Sequence, residues 1–150
     1  MSGSWPVAEL DPVRRLHVLA SAISGAAVAS RVIPAPFEQV WEVAGDLERG
    51  LGTFEPDMRS VRVEQTASGL VAHARSRYGF RARFEVDLRP GWVWMQSRFL
   101  LIGLAAVPVA GGTLFAATGG VRVPGRAGLV PLLVRRANER ALERLAARFS

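Results

Sequence analysis

The chain has 150 residues, of which 49% are hydrophobic and 21% charged, a balance typical of one globular domain and not of a disordered or fibrous chain. It contains no cysteine, which excludes disulfide bonds, thiolate metal sites and a cysteine nucleophile. The net charge is +6 and all 19 basic residues are arginine, so we expect a GC-rich bacterial source and a general preference for anionic partners.

Residues 1–25 are predicted to form an extension ahead of a main domain at residues 26–150. Asp11 and Pro12 would cap a short helix in this extension, although residues 16–19 could equally be extended. The apolar face of that helix would contain Val13, Leu16, Ala20 and Ile23. The chain does not open with the basic and apolar leader of a secretory signal, so we expect a cytoplasmic location.

A strand, a proline-marked corner and a helix follow. Residues 28–32 have the alternation of a β-strand, which ends at Pro34, and Pro36 suits the first turn of a helix because that turn does not need its N–H group. The apolar face of this helix would contain Phe37, Val40, Trp41, Ala44 and Leu47. A second short helix is predicted around residues 53–57.

From Met58 the sequence changes to runs of period two separated by turn residues, which predicts an antiparallel meander of five or six strands. The clearest strand extends from Phe80 to Arg89, with an apolar and a charged face. The next strand, at residues 92–98, is mixed on both faces, so its alternation does not show which face points inward.

Residues 99–121 carry no charge, which is the composition of a transmembrane candidate. We favour two apolar strands instead, because Pro108 and two glycine pairs interrupt the run and residues 110–113 suit a hairpin turn. No transmembrane segment is therefore expected.

The last predicted element is a long helix that begins at Pro131 and continues nearly to Ser150. Its apolar stripe would contain Leu133, Ala137, Ala141, Leu142, Leu145 and Phe149. Its basic row, predicted to face solvent, would contain Arg136, Arg140, Arg144 and Arg148.

Between Ile33 and Asp46 the sequence reads Ile-x-Ala-Pro-x-x-x-Val-Trp-x-x-x-x-Asp. This pattern, together with the order of elements over about residues 26–150, resembles the START-like superfamily, also called Bet v 1-like, SRPBCC or polyketide cyclase/dehydrase. The resemblance implies an α+β helix-grip fold. In that fold a curved antiparallel sheet wraps around a long C-terminal helix, two short helices follow the first strand, and a cavity lies between sheet and helix.

Little in the sequence indicates catalysis or a cofactor. His17 and His73 are far apart and form no metal motif, and no phosphate-binding loop occurs, so we expect neither a metal nor another cofactor. His73 shares a strand face with arginines and is expected to be solvated. Glu42 and Asp46 are four residues apart on a helix and could converge as catalytic carboxylates, but a solvated face for Glu42 and a structural hydrogen bond for Asp46 are the stronger explanations.

The predicted ligand site lies between the sheet and the terminal helix. Several strand residues are alanines, whose small side chains would leave space there unless a collapsed core of larger residues fills it. Either Trp92 and Trp94 or their neighbours Val93 and Met95 would face the helix. The candidate lining residues are Tyr78, Phe84, Trp92, Trp94, Gln96, Phe115, Leu142, Leu145 and Phe149.

Three functions remain open. The first is binding of a small hydrophobic molecule, such as a lipid, polyketide or aromatic metabolite, in that cavity. The second is a polyketide cyclase or dehydratase-like enzyme, for which the available polar groups would be Ser76, Tyr78, Gln96 and Arg98. The third is an interaction protein that acts through a basic or apolar sheet surface. For such a protein we do not expect nucleic acid as the partner, and peripheral membrane contact stays open.

Two surface predictions follow from the alternation of the strands. Arg75, Arg77, Arg81 and Arg83 should form a basic patch on the outer face of one hairpin, to be neutralised by Glu64, Glu85 or Asp87 or used to bind an anionic partner. The outer face of residues 99–121 is apolar and should be covered by a homodimer partner or by the amino-terminal segment.

Overall fold

The computed structural model of the protein describes residues 10–23, 26–55, 58–77, 79–121 and 131–149, with the backbone alone for residues 121 and 131–135. The helices are α1 (Pro12–Ser21), α2 (Phe37–Ala44), α3 (Leu51–Phe54) and α4 (Pro131–Ala147). The strands are β1 (Ala27–Ile33), β2 (Met58–Thr66), β3 (Gly69–Ser76), β4 (Arg81–Arg89), β5 (Trp92–Gln96), β6 (Leu100–Val109) and β7 (Gly112–Val121).

The seven strands form one antiparallel sheet in the order β1-β7-β6-β5-β4-β3-β2. Strands β2 to β7 are a six-stranded meander, and β1 joins its end by pairing with β7 from Ala27↔Gly119 to Ile33↔Thr113. Helices α2 and α3 connect β1 to β2 across the inner face, and α4 lies on that face against β1 and β7. The predicted helix-grip fold is confirmed.

Helix α1 forms where a short helix was predicted. The Asp11 side chain accepts a hydrogen bond of 2.9 Å from the Arg14 N–H, and Pro12 occupies the first turn. The extended alternative for residues 16–19 is therefore wrong.

The corner after β1 differs from its prediction in detail. Helix α2 ends at Ala44 and not near Leu47, because the chain turns at Gly45 and Asp46. Leu47 nevertheless stays buried in the following turn. The second short helix begins at Leu51, two residues before the predicted start.

The main core lies between the inner face of the sheet and helices α2, α3 and α4. Its largest fully buried side chains include Phe54 and Phe115, which meet edge to face with their ring centroids 6.4 Å apart. Asn138 of α4 is buried at the margin, where its side-chain amide donates to the Ala27 carbonyl oxygen at 3.1 Å. This bond attaches α4 to the start of β1, and the sequence pattern did not indicate it.

Helix α1 covers the outer face of the sheet over β6 and β7. Val13 and Leu16 pack there against Trp92, Ala105 and Ala116 in a second, smaller core. The prediction that the amino-terminal segment covers the apolar outer face is confirmed, so no homodimer is needed to bury these residues.

The uncharged run forms the hairpin of β6 and β7, as predicted. None of the helices in the described part of the chain is long and apolar enough to cross a membrane. The predicted basic row of α4 faces solvent at Arg136, Arg140, Arg144 and Arg148.

Candidate functional site

Strand β5 presents its tryptophans to the outer face of the sheet. Val93 and Met95 are fully buried in the main core, whereas Trp92 and Trp94 stack on each other, with centroids 6.0 Å apart, on the side that α1 covers. Gln96 shares their face by alternation and is exposed. The prediction that Trp92, Trp94 and Gln96 line a cavity beside α4 is therefore wrong in its geometry, and the Val93/Met95 alternative is the one observed.

Four other predicted lining residues meet in the main core. Phe84, Phe115 and Leu145 have no solvent-accessible surface and Leu142 is 3% exposed. A side chain that lined an open cavity would be accessible to a water-sized probe, so these side chains are packed against other protein atoms on all sides. Phe149 packs half-buried against the same cluster. Tyr78 lies outside the described residues.

A cleft opens on the inner face at the end of the sheet where α2 begins. Its volume is about 390 Å³, and it separates the carboxyl-terminal half of α2 from the end of β4 and the turn into β5. The lining residues are Trp41, Glu42, Gly45, Asp46, Leu88, Arg89 and Pro90.

Aromatic stacking fixes the helix wall of this cleft. The Trp41 and Phe37 rings are stacked with centroids 6.2 Å apart and planes 2° apart. Phe37 in turn lies against the β4–β5 turn at Gly91, where φ is 74° and an added Cβ would come within 3.4 Å of the phenyl ring. The wall is therefore held against the turn, and the apolar surface that it offers is that of Trp41.

The opposite wall is supplied by Leu88. By alternation this residue belongs to the inner face of β4, with Phe84 and Val86, yet it is 38% exposed. Residues of the inner face are normally covered by a helix, but α2 packs over β6 and β7 and leaves Leu88 of β4 uncovered. An apolar side chain is left open to the cleft.

Charged groups surround this apolar surface. Glu42 and Asp46 line the cleft from α2 and its end, and Arg89 lines it from β4. The Asp46 carboxylate accepts the Arg49 N–H at 3.1 Å, which is the structural hydrogen bond expected for this residue. The Arg89 Nε donates to Asp87 Oδ1 at 3.0 Å. The sequence offered both carboxylates as candidates but not their place opposite Leu88, because the two walls of the cleft are distant in sequence.

The outer face carries a second, more polar depression of about 350 Å³. Its lining residues are Ser68, Val71, Arg83, Glu85, Val86, Asp87, Trp94 and Gln96. Two of the predicted site residues thus lie together, but on the wrong side of the sheet for a site next to α4.

The histidines form no metal site. His73 lies on the outer face, half-buried, with Nε2 at 3.1 Å from Glu64 Oε2. His17 is exposed on α1. Within the described ranges no group of three or more histidine, aspartate or glutamate side chains could hold a metal ion.

A family-level sequence profile described as "Polyketide cyclase / dehydrase and lipid transport" matches residues 25–150. The chain belongs to this family. No curated protein matches it significantly in sequence. The assignment to the SRPBCC, or Bet v 1-like, superfamily that the Ile33–Asp46 pattern suggested is confirmed.

Solved structures with the same fold have distant sequences. A START superfamily protein from Mycobacterium smegmatis has a TM-score of 0.64 at 14% identity, over 83% of this chain and 96% of that one. XoxI from Bacillus cereus has a TM-score of 0.65 at 17% identity, over 83% and 95%. An uncharacterized protein from Bacillus thuringiensis has a TM-score of 0.64 at 16% identity, over 83% and 98%. Such likenesses establish the fold of this polyketide cyclase/dehydrase family member and no more.

Proposed function

We propose that the protein binds a small hydrophobic molecule, such as a lipid, polyketide or aromatic metabolite, at the inner face of the sheet through the cleft between Trp41 and Leu88. The observation that carries this proposal is the exposure of Leu88 beside Trp41, which leaves apolar surface open on a face that is otherwise filled. Membership of a family described by polyketide and lipid chemistry supports the same class of ligand.

Size and chemistry agree with a small ligand. Sites for small molecules typically measure about 300–1,000 Å³ and combine apolar walls with a few polar groups. The cleft, at about 390 Å³, is at the lower end of that range and is wide open to solvent, so it would cover one side of a ligand. Trp41, Leu88 and Pro90 offer apolar contact, and Glu42 could orient a polar end. The proposed site is therefore beside α2, whereas the site predicted from the sequence was beside α4.

The test uses tryptophan fluorescence with fatty acids, flavonoids and aromatic polyketides as probes. Trp41 lies in the cleft and Trp94 on the opposite face of the sheet, so a bound probe should change the signal of Trp41. We expect a saturable change in the wild type and in Trp94→Phe, and its loss in Trp41→Phe. A change that survives in Trp41→Phe and disappears in Trp94→Phe would assign binding to the outer face.

A pair of variants with matched exposure tests the other wall. Leu88→Glu should weaken binding by at least about ten-fold, because a charge placed in an apolar contact must lose its hydration. Leu19→Glu is the control, since Leu19 is 39% exposed on α1, as Leu88 is 38% exposed on β4. Equal losses in both variants, or flat titrations across the whole panel, would contradict the proposal.

A cyclase or dehydratase-like activity is the second candidate, and one observation favours it. Glu42 and Asp46 line the same cleft, where a reactive chain would lie beside two carboxylates. The groups first considered for this activity are not gathered: Gln96 is on the outer face and Arg98 is in an exposed turn. Incubation with a poly-β-ketone thioester should give a product lighter by one water molecule, and Glu42→Gln should abolish this product while probe binding persists.

A further inference from the structure

One end of the sheet exposes two phenylalanines that the fold does not use. Phe80, in the β3–β4 turn, is 76% exposed, and Phe99, in the β5–β6 turn, is 43% exposed. In an antiparallel meander both turns lie at the same end of the sheet, and because β4 pairs with β5 the two hairpins are neighbours. The last pair of β4 with β5 is Glu85↔Gln96, so the β3–β4 turn projects beyond the β5–β6 turn.

In both turns a serine hydroxyl accepts a hydrogen bond from the backbone N–H of the phenylalanine. The Ser76 hydroxyl accepts the Phe80 N–H at 3.1 Å, and the Ser76 N–H donates to the Phe80 carbonyl at 2.8 Å. The Ser97 hydroxyl accepts the Phe99 N–H at 3.3 Å. These hydrogen bonds fix the backbone at Phe80 and Phe99, and because both side chains are exposed a partner would meet them at the surface.

Arginines accompany these phenylalanines. Residues 75–84 and 97–99 contain five arginines and no carboxylate, and all five arginine side chains are exposed. They are Arg75, Arg77, Arg81, Arg83 and Arg98, which together with Phe80 and Phe99 we call the basic edge. The predicted basic patch is therefore present, and it is larger than predicted because Arg98 adds to it from the neighbouring hairpin. The Arg98 guanidinium lies 5.3 Å from the centroid of the Phe99 ring.

Two of the three carboxylates expected to neutralise this patch have other partners, and the third, Glu85, lines the outer depression together with Arg83. Glu64 bonds to His73, and Asp87 bonds to Arg89 and to the Trp92 indole. Arg75 and Arg81 are directly opposed across the β3–β4 pair, which is unfavourable for like charges. No salt bridge found among the described residues involves an arginine of the basic edge. A repulsive pair beside exposed phenylalanines is consistent with an anionic partner that also accepts apolar side chains.

We propose that the basic edge docks the protein on an anionic lipid membrane, with the two phenylalanines in the acyl-chain boundary and the arginines on the phosphates. Aromatic side chains set among basic ones are typical of surfaces that bind at this interface. Nucleic acid would also attract the arginines, but stacking on bases needs aromatic rings presented on a platform, and these rings stand at the tips of two staggered turns. This docking does not depend on which cargo, if any, the cleft binds.

The first test is co-sedimentation of the full chain with phosphatidylcholine vesicles, with and without phosphatidylserine. We expect binding only with phosphatidylserine and a decline in binding as salt rises. Removing charge in Arg77→Gln/Arg81→Gln/Arg98→Gln should weaken binding by about five-fold per arginine. The matched control, Arg136→Gln/Arg140→Gln/Arg144→Gln, makes the same change in net charge on α4 and should bind as the wild type does.

The second test addresses the phenylalanines. Phe80→Ser/Phe99→Ser should weaken binding, and because both side chains are exposed the fold should tolerate the change. The control is Val18→Ser/Leu19→Ser, which removes exposed apolar residues (54% and 39%) that lie near arginines on α1. Phe80→Trp should gain fluorescence quenching by lipids with brominated acyl chains, relative to the wild type.

Several outcomes would overturn the proposal. The wild type could fail to bind phosphatidylserine vesicles at low salt, or the α4 control could lose as much binding as the arginine variant. The α1 control could lose binding while the phenylalanine variant keeps it. Phe80→Trp could also show no more quenching than the wild type. A gel shift with single-stranded RNA or DNA that is lost in the arginine variant, without vesicle binding, would assign the basic edge to nucleic acid instead.

Discussion

Leu16 of α1 lies directly over Gly103 of β6. A Cβ atom added to Gly103 would come within 2.9 Å of Leu16 Cδ1 and 2.8 Å of Thr118 Cγ2, closer than side-chain carbons normally approach. Gly103 has no positive φ, so it is required for space and not for backbone conformation. The absence of a side chain at this position lets the amino-terminal helix reach the sheet.

Gly103→Ala should therefore push α1 away from the sheet. We expect a loss of about 1–3 kcal/mol in the free energy of unfolding, measured by urea denaturation, because the added methyl overfills a close contact. In a Leu16→Ala background the same substitution should cost less, since one of the close atoms is absent. Gly52→Ala is a milder comparison and should cost less, because its nearest atom would be the Met58 carbonyl oxygen at 3.3 Å, farther than either close atom at Gly103. Equal costs for Gly103→Ala in both backgrounds would contradict the contact.

Removal of residues 1–24 should expose the outer face that α1 covers. Trp92, Ala105 and Ala116 would then meet water, and exposed apolar surface of this kind promotes association. We expect light scattering to give a larger mass for the shortened chain than for the full chain. Leu16→Asp in the full chain should reproduce the effect. Equal masses for all three proteins would show that the cover is dispensable.

The Trp92 indole N–H donates to Asp87 Oδ2 at 3.1 Å, and this bond satisfies a polar group on the covered face. Asp87→Ala should lower the free energy of unfolding by about 1–2 kcal/mol, because the indole N–H loses its acceptor. Asp87→Asn retains an oxygen acceptor and should cost less. Glu85→Ala, on the same strand face, is the control for loss of charge. Equal losses of stability in Asp87→Asn and Asp87→Ala would contradict the prediction.

Asp46 offers a way to separate structure from catalysis in the cleft. Its carboxylate caps the turn after α2 through the Arg49 N–H, so Asp46→Ala should cost about 1 kcal/mol of stability. Asp46→Asn keeps the acceptor oxygen and should leave stability nearly unchanged. If Asp46→Asn also leaves probe binding and any dehydration unchanged, the role is structural. Loss of product formation in Asp46→Asn at unchanged stability would instead assign it to the reaction.

Much of the fold followed from local pattern. The six-stranded meander, the hairpin in the uncharged run and the solvent-facing arginine row of α4 were all predictable, because alternation and helical spacing are properties of neighbouring residues. The helix in the amino-terminal extension was predictable for the same reason, through the Asp11 cap. The buried Asn138 was not, since its partner at Ala27 is remote in sequence.

The candidate site was less predictable. Phe84, Phe115, Leu142 and Leu145 belong to one core, but whether such residues line a space or fill it depends on how closely α4 approaches the sheet. The cleft at Leu88 arises because α2 packs over β6 and β7 and leaves the inner face of β4 beside it uncovered. No local pattern shows which strands a helix will cover when those strands come much later in the chain.

Strand β5 shows most clearly what the sequence determines and what the tertiary structure decides. The sequence by itself determined that Trp92 and Trp94 share one face and Val93 and Met95 the other, because successive side chains of a strand alternate. Both pairs are apolar, so burial does not distinguish the faces, and the sheet has apolar layers on both sides. The tertiary structure alone decided the orientation: α1 supplies the layer that covers the tryptophans, while α4 and the short helices enclose Val93 and Met95.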